Sequence, residues 1–115
     1  VTDIESLRAQ LRAFVDEREW RQFHDPKSLI LALVGEVGEL AELFQWLPAE
    51  DAAAMAREEP LGRRTADELA DVFIYLVLLA ESLSIDLLDA AQRKLNAASD
   101  RYPPSEHRGV APQKE

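Results

Sequence analysis

The chain has 115 residues, with 13 Lys and Arg against 22 Asp and Glu, a formal net charge of −9, and no cysteine. This length supports one hydrophobic core without staples, and 47% hydrophobic with 30% charged residues is a soluble, globular balance. The acidic charge disfavours a protein that tracks a nucleic-acid backbone, and the lack of cysteine removes any disulfide framework or thiolate metal site.

Asp3 is a cap for a first helix predicted to run to about Glu19, with Leu7, Leu11, Phe14 and Val15 at helical spacing. Residues 20–26 (WRQFHDP) break the pattern, and Asp25-Pro26 reads as cap plus first-turn proline for a second helix to about Trp46, which Pro48 ends. The Ala- and Glu-rich stretch between Pro48 and Pro60 has room for one short helix. A third long helix is predicted from Leu61 to about Ser84. A fourth starts at Asp86 and ends near Tyr102-Pro103-Pro104. Residues 105–115 are polar and aperiodic, which predicts an extended tail behind a domain of residues 1–104. The expected class is all-α, a four-helix bundle. Residues 72–80 (VFIYLVLLA) are apolar around the whole helix, so a homo-oligomer, dimer or tetramer, is expected to surround them. That run is about half of the roughly 18 residues a bilayer span needs, so no membrane partner is expected.

On the second helix Leu29, Leu33, Leu40 and Leu43 form one stripe, and the vacant position in it is Glu36. Glu39 lies one turn along and about 60° around, so E-V-G-E sets two carboxylates at the edge of the apolar face. The third helix repeats this: Glu68, Val72, Tyr75 and Leu79 share a stripe, with Asp71 one turn from Glu68. On antiparallel helices ending at Trp46 and starting at Leu61, Glu39 and Glu68 are each seven residues from the turn, and Glu36 and Asp71 each ten. Four carboxylates at matched heights in a half-buried cleft require protons or cations. An all-oxygen set suits Mg²⁺ or Mn²⁺ rather than Zn²⁺. A ferritin-like di-iron site needs a Glu-x-x-His, which is absent. Glu42, Glu50, Glu58 and Glu59 lack such context and read as surface charge. Gly35 and Gly38 each cost a helix about 1 kcal/mol relative to Ala, a cost that close approach of a neighbouring helix or a ligand offsets.

The segments E-V-G-E-L-A-E-L-F-Q-W (36–46) and D-E-L-A-D-V-F-I-Y-L-V (67–77) resemble the all-α nucleoside triphosphate pyrophosphohydrolases of the MazG-like superfamily, within it most the dCTP pyrophosphatase group. The resemblance covers residues 4–103, including R-x-W-x-Q-F-H (18–24) and Lys94 with R-Y-P (101–103). It implies that Glu36, Glu39, Glu68 and Asp71 hold Mg²⁺. It also implies that water attacks between the α- and β-phosphates of dCTP or a modified relative, giving monophosphate and pyrophosphate in nucleotide-pool sanitation. Cations would then reconcile a polyanionic substrate with a net charge of −9. The resemblance further points to Trp20, His24, Trp46 and Tyr75 as the base pocket, with Phe23 adjacent, and to Lys94 as a phosphate contact. Packing alone also accounts for Trp46 and Tyr75, a surface position for His24, and solvation for Lys94. His107 is expected to be uninvolved. The family's asparagine four residues after the lysine is here Ala98, and Asn96 lies about 160° around the helix from it. A reducing, cytoplasmic setting and no nucleic-acid polymer are expected. The rival reading is a non-catalytic helical interaction module with a structural cation site.

Overall fold

In the computed structural model, which describes residues 3–112, each long helix but one begins at an aspartate cap. Asp3 accepts a hydrogen bond from the Ser6 amide at 2.8 Å and starts α1 (Ile4–Glu17). Glu19 takes left-handed angles (φ 54, ψ 37), which ends α1 early and turns the chain into a 3₁₀ turn, Trp20–Phe23. Asp25 accepts the Ser28 amide at 2.9 Å and its hydroxyl at 2.6 Å, and with Pro26 at the first position starts α2 (Pro26–Phe44). After α3 (Ala52–Ala56) come α4 (Leu61–Ser82), which starts after Pro60, α5 (Leu87–Arg101), capped by Asp86, and α6 (Pro104–His107).

The four predicted long helices are α1, α2, α4 and α5, and the first three stop two residues short of their expected ends at Glu17, Phe44 and Ser82. The expected extended tail is corrected at α6: Pro104 presets the first turn, and the His107 ring packs edge-on against Tyr102 at 5.1 Å between centroids. Residues 113–115 of that predicted tail lie outside the described residues.

The described residues divide into two compact units between Ser84 and Ile85. In the first unit α2 and α4 form the dominant helix pair, α3 also packs on α4, and α1 packs on the 3₁₀ turn. Leu29 of α2, Val77 and Ala80 of α4, and Val15 of α1 are buried. Leu33, Leu40 and Leu43 are half-buried on the same stripe as Leu29. Arg8 Nε at 2.8 Å and Arg12 Nη2 at 2.7 Å both donate to Glu81 Oε1, tying α1 to the end of α4. The two guanidiniums hold the Glu81 carboxyl below its ordinary range.

The chain leaves apolar side chains of α2 and α4 uncovered. Ile30, Leu31, Val34 and Val37 of α2 and Leu69, Phe73 and Leu76 of α4 are exposed, so the run 72–80 is buried only in part. The second unit holds α5 and α6, with Leu88 and Leu95 exposed on α5. Among the described residues, no helix is long and apolar enough to cross a membrane.

Candidate metal centre

Because α2 and α4 pack along each other, their carboxylates meet. Glu36, Glu39 and Glu68 each bring one oxygen within 4.8 Å of the others. Glu36 and Glu68 are half-buried, and Glu39 is exposed at the rim. Asp71, expected as the fourth member, lies outside this tight set and is exposed. Its charge still reaches the cluster, raising the pKa of both Glu36 and Glu68.

Three buried side-chain oxygens among the described residues lack a hydrogen-bond partner: Glu36 Oε2, Glu68 Oε2, and Oγ1 of Thr65, one turn before Glu68. Leaving a buried acceptor unsatisfied costs about 1–3 kcal/mol, more for a charged group. The Glu36 carboxyl responds by rising from 4.5 to about 7, first through burial and then through repulsion by Glu39 and Asp71. Glu68 is raised for the same reasons, burial first and then the Glu39 charge. A divalent cation could give the orphaned carboxylate oxygens of Glu36 and Glu68 a partner and offset the repulsion among the three glutamates. The donor set of Glu36, Glu39 and Glu68 is oxygen only, the chemistry that suits a hard cation.

Beside the cluster lies a cavity of about 500 Å³, whose walls include Glu39, Glu42, Gln45, Arg64 and Glu68. Glu42, expected as surface charge, is exposed, and so is Arg64, which the sequence does not single out. The signal was there: Glu42 follows Glu39 by three and Arg64 precedes Glu68 by four, so each shares a helix face with a cluster member.

The residues expected in the base pocket have separate neighbours. Trp20 packs edge-on against Phe14, at 5.6 Å between centroids, and Tyr75 is half-buried on α4. His24 lines a different cavity of about 250 Å³ with Arg8, Arg12, Arg21 and Glu81. Trp46 is 86% exposed, which rules out a place in the protomer core. Phe23 is 63% exposed. Among the described residues, no ring contact joins any two of Trp20, His24, Trp46 and Tyr75. Lys94 is exposed on α5, in the second unit. There α5 runs unbroken from Leu87 to Arg101, and Asn96 accepts from Gln92 at 3.0 Å, with Ala98 half-buried. At Gly35 and Gly38 a Cβ would meet no described side chain or neighbouring helix within 4 Å.

Residues 32–114 match the MazG-like family. The chain is 45% identical over 108 residues to dCTP pyrophosphatase 1 of Bos taurus and 44% identical over 108 residues to that of Rattus norvegicus, in both cases over 94% of this chain. It spans about 64% of the length of these curated relatives. The crystal structure of a pyrophosphatase from Archaeoglobus fulgidus DSM 4304 superposes with a TM-score of 0.80 at 36% identity, covering 90% of this chain and 94% of that one.

Proposed function

The chain belongs to the MazG-like family, and on that premise we propose that it is a divalent-cation-dependent nucleoside triphosphate pyrophosphohydrolase. Its substrate is dCTP or a modified dCTP, and its products are the monophosphate and pyrophosphate, a reaction that removes unwanted nucleotides from the cytoplasmic pool. The observation that carries the reading is the three-carboxylate cluster with orphaned buried oxygens on Glu36 and Glu68, facing a polar cavity. The names of the relatives support the choice of substrate.

Glu36, Glu39 and Glu68 would hold Mg²⁺, or Mn²⁺ in its place, with Asp71 completing the set. When bound, such cations acidify the attacking water and neutralise charge on the departing pyrophosphate. Glu36 would give up its proton to such a cation, since burial, and after it the charges of Glu39 and Asp71, raise its carboxyl to about 7. Glu39 and Glu68 belong both to the cluster and to the cavity wall, so they orient the scissile phosphate against the cluster. Trp20, His24, Trp46 and Tyr75 contact the base, and Lys94 contacts a phosphate. Asn96, about 160° around α5 from Ala98, does not replace the amide missing there. No nucleic-acid polymer and no membrane enters this scheme.

The protein acts as a homo-oligomer, dimer or tetramer. The exposed apolar faces of α2 and α4 support this, and so does a tryptophan 86% exposed next to the end of α2. Gly35 and Gly38 sit on the same helix and give the test. In an isolated protomer Gly→Ala at either position meets no atom and should stabilise α2 by about 1 kcal/mol. If a second copy packs over the glycines, Gly35→Ala and Gly38→Ala should instead weaken assembly. Sedimentation at micromolar concentration, with thermal melts, reads which sign holds. A compact monomer at that concentration contradicts the oligomer.

The decisive assay is pyrophosphate release from a panel of canonical and modified triphosphates, with and without Mg²⁺. Turnover only with metal, fastest on deoxycytidine triphosphates, is expected. Metal-dependent stability without turnover of any triphosphate would instead support the non-catalytic interaction module.

A further inference from the structure

The face of α4 that carries the cluster has a polarity. Arg64, Glu68, Asp71 and Tyr75 follow one another at spacings of four, three and four residues, so all lie on one side of the helix. The cation stands at one end, the carboxylates in the middle and the aromatic ring at the other, with about 16 Å of helix rise from first to last. A nucleoside triphosphate has the same order of parts: polyanionic tail, scissile anhydride, sugar and base.

Arg64 is the one cationic residue on the wall of the 500 Å³ cavity, where it shares the space with Glu39, Glu42 and Glu68. Its guanidinium makes no ion pair with them, nor with any other described residue. By contrast, Arg8, Arg12 and Arg21 around the smaller cavity are each tied to a carboxylate. An arginine left unpaired beside three acids has its donors available for something that comes in from outside. The cavity wall carries no aromatic ring, so it offers nothing for a base to stack on. We propose that Arg64 is a substrate-binding residue that grips the pyrophosphate end of the triphosphate, the part that departs, and that the nucleoside end lies toward Tyr75, so that a Trp46 at the base comes from a second copy and not from beside Gln45 of the same chain. This rests on the proposed pyrophosphohydrolase activity and adds to it the direction in which the substrate lies. The planar guanidinium donates two parallel hydrogen bonds to one phosphate, which a lysine cannot reproduce. In a cleft this acidic, a fixed cation beyond the metal cluster also favours the polyanion over bulk water.

The test uses the full chain with Arg64→Gln and Arg64→Lys, checked for unchanged circular dichroism and oligomeric state. Calorimetric titrations with Mg²⁺ alone, with pyrophosphate in the presence of Mg²⁺, and with dCMP read the three parts of the site separately. Arg64→Gln should weaken pyrophosphate by about tenfold or more, and Arg64→Lys should recover only part of it. Affinity for dCMP should stay within about twofold, and Mg²⁺ alone should bind as tightly or more tightly, since a nearby positive charge is gone. A role confined to helix structure would move all three titrations together. If the parent turns over triphosphate yet Arg64→Gln binds pyrophosphate as the parent does, or loses dCMP instead, the assignment of Arg64 is overturned while the activity stands. A parent chain that neither binds pyrophosphate with Mg²⁺ nor turns over triphosphate overturns the activity and the assignment with it.

Discussion

Replacing Glu36 with Gln should lower triphosphate turnover by about a thousandfold or more, while leaving the metal-free chain as stable as the parent or more so. The loss follows from position. Glu36 is one of the two half-buried members of the cluster, and its Oε2 has no protein partner, so a cation is the only group proposed to satisfy it. A carboxamide is a weaker donor to a hard cation and carries no charge. Since metal ions supply several kcal/mol of charge stabilisation in such reactions, about 4 kcal/mol lost corresponds to roughly a thousandfold in rate. The gain in stability follows from the same crowding. Without metal, Glu36 is raised by burial and by the charges of Glu39 and Asp71, and an uncharged side chain of similar shape relieves both. Glu39→Gln and Asp71→Asn should act in the same direction. Their stabilising effect should be smaller, because both side chains are exposed. Thermal melts and pyrophosphate-release assays on the same samples check this. Activity lost only because a variant is unfolded at the assay temperature would contradict the role given to these carboxylates.

How much of this was legible in the sequence depends on the scale of the signal. The stripe Leu29, Leu33, Leu40, Leu43 interrupted by Glu36 placed a charge in a core position, and the equal distances of Glu39 and Glu68 from the turn set them side by side. Both are properties of regular helices, where spacing fixes direction. The helix ends were less readable. Glu19 at positive φ carries no mark in the sequence, because the residue usually found there is glycine or asparagine. The four-residue α6 is too short for any periodicity to register. Arg64 and Glu42 were overlooked for another reason: taken singly, each is an ordinary surface charge, and only the pairing of α2 with α4 sets both around one cavity. The aromatic residues mark the limit of a single chain. Trp46 could equally have been core or pocket from its spacing, and its exposure excludes the first without supplying the second.

Removing the metal with a chelator should abolish turnover and expose a dependence of stability on pH whose sign is opposite to that of an ordinary surface carboxylate. The Glu36 carboxyl rises from 4.5 to about 7 on folding, and Glu68 is also raised. A carboxyl raised in the folded state favours the protonated form there. Its contribution to stability is therefore fully present below pH 4.5, the unfolded value, and is lost as pH rises through about 7. Glu81, lowered by Arg8 and Arg12, works the other way: its contribution is present above 4.5 and is lost as pH falls through its depressed folded value. The two act in different windows, and Glu36→Gln separates them, since it removes the first and leaves the second. In the chelated parent the melting temperature should fall between about pH 5 and pH 7.5, and in Glu36→Gln this fall should be flattened. Mg²⁺ should restore the loss at the upper end of that range. At a hundredfold excess over its Kd a ligand that binds only the folded chain adds about 2.7 kcal/mol, a rise on the order of 10 °C for a domain of this size. Near pH 5 the same addition should do little, because the cation must displace a proton from Glu36 to bind. The proton release can be read directly, as a dependence of the Mg²⁺ binding enthalpy on the ionisation enthalpy of the buffer near pH 6.5. A chelated parent whose melting temperature is flat over this range, or identical to that of Glu36→Gln at every pH, would mean that the cluster is not crowded in the folded chain.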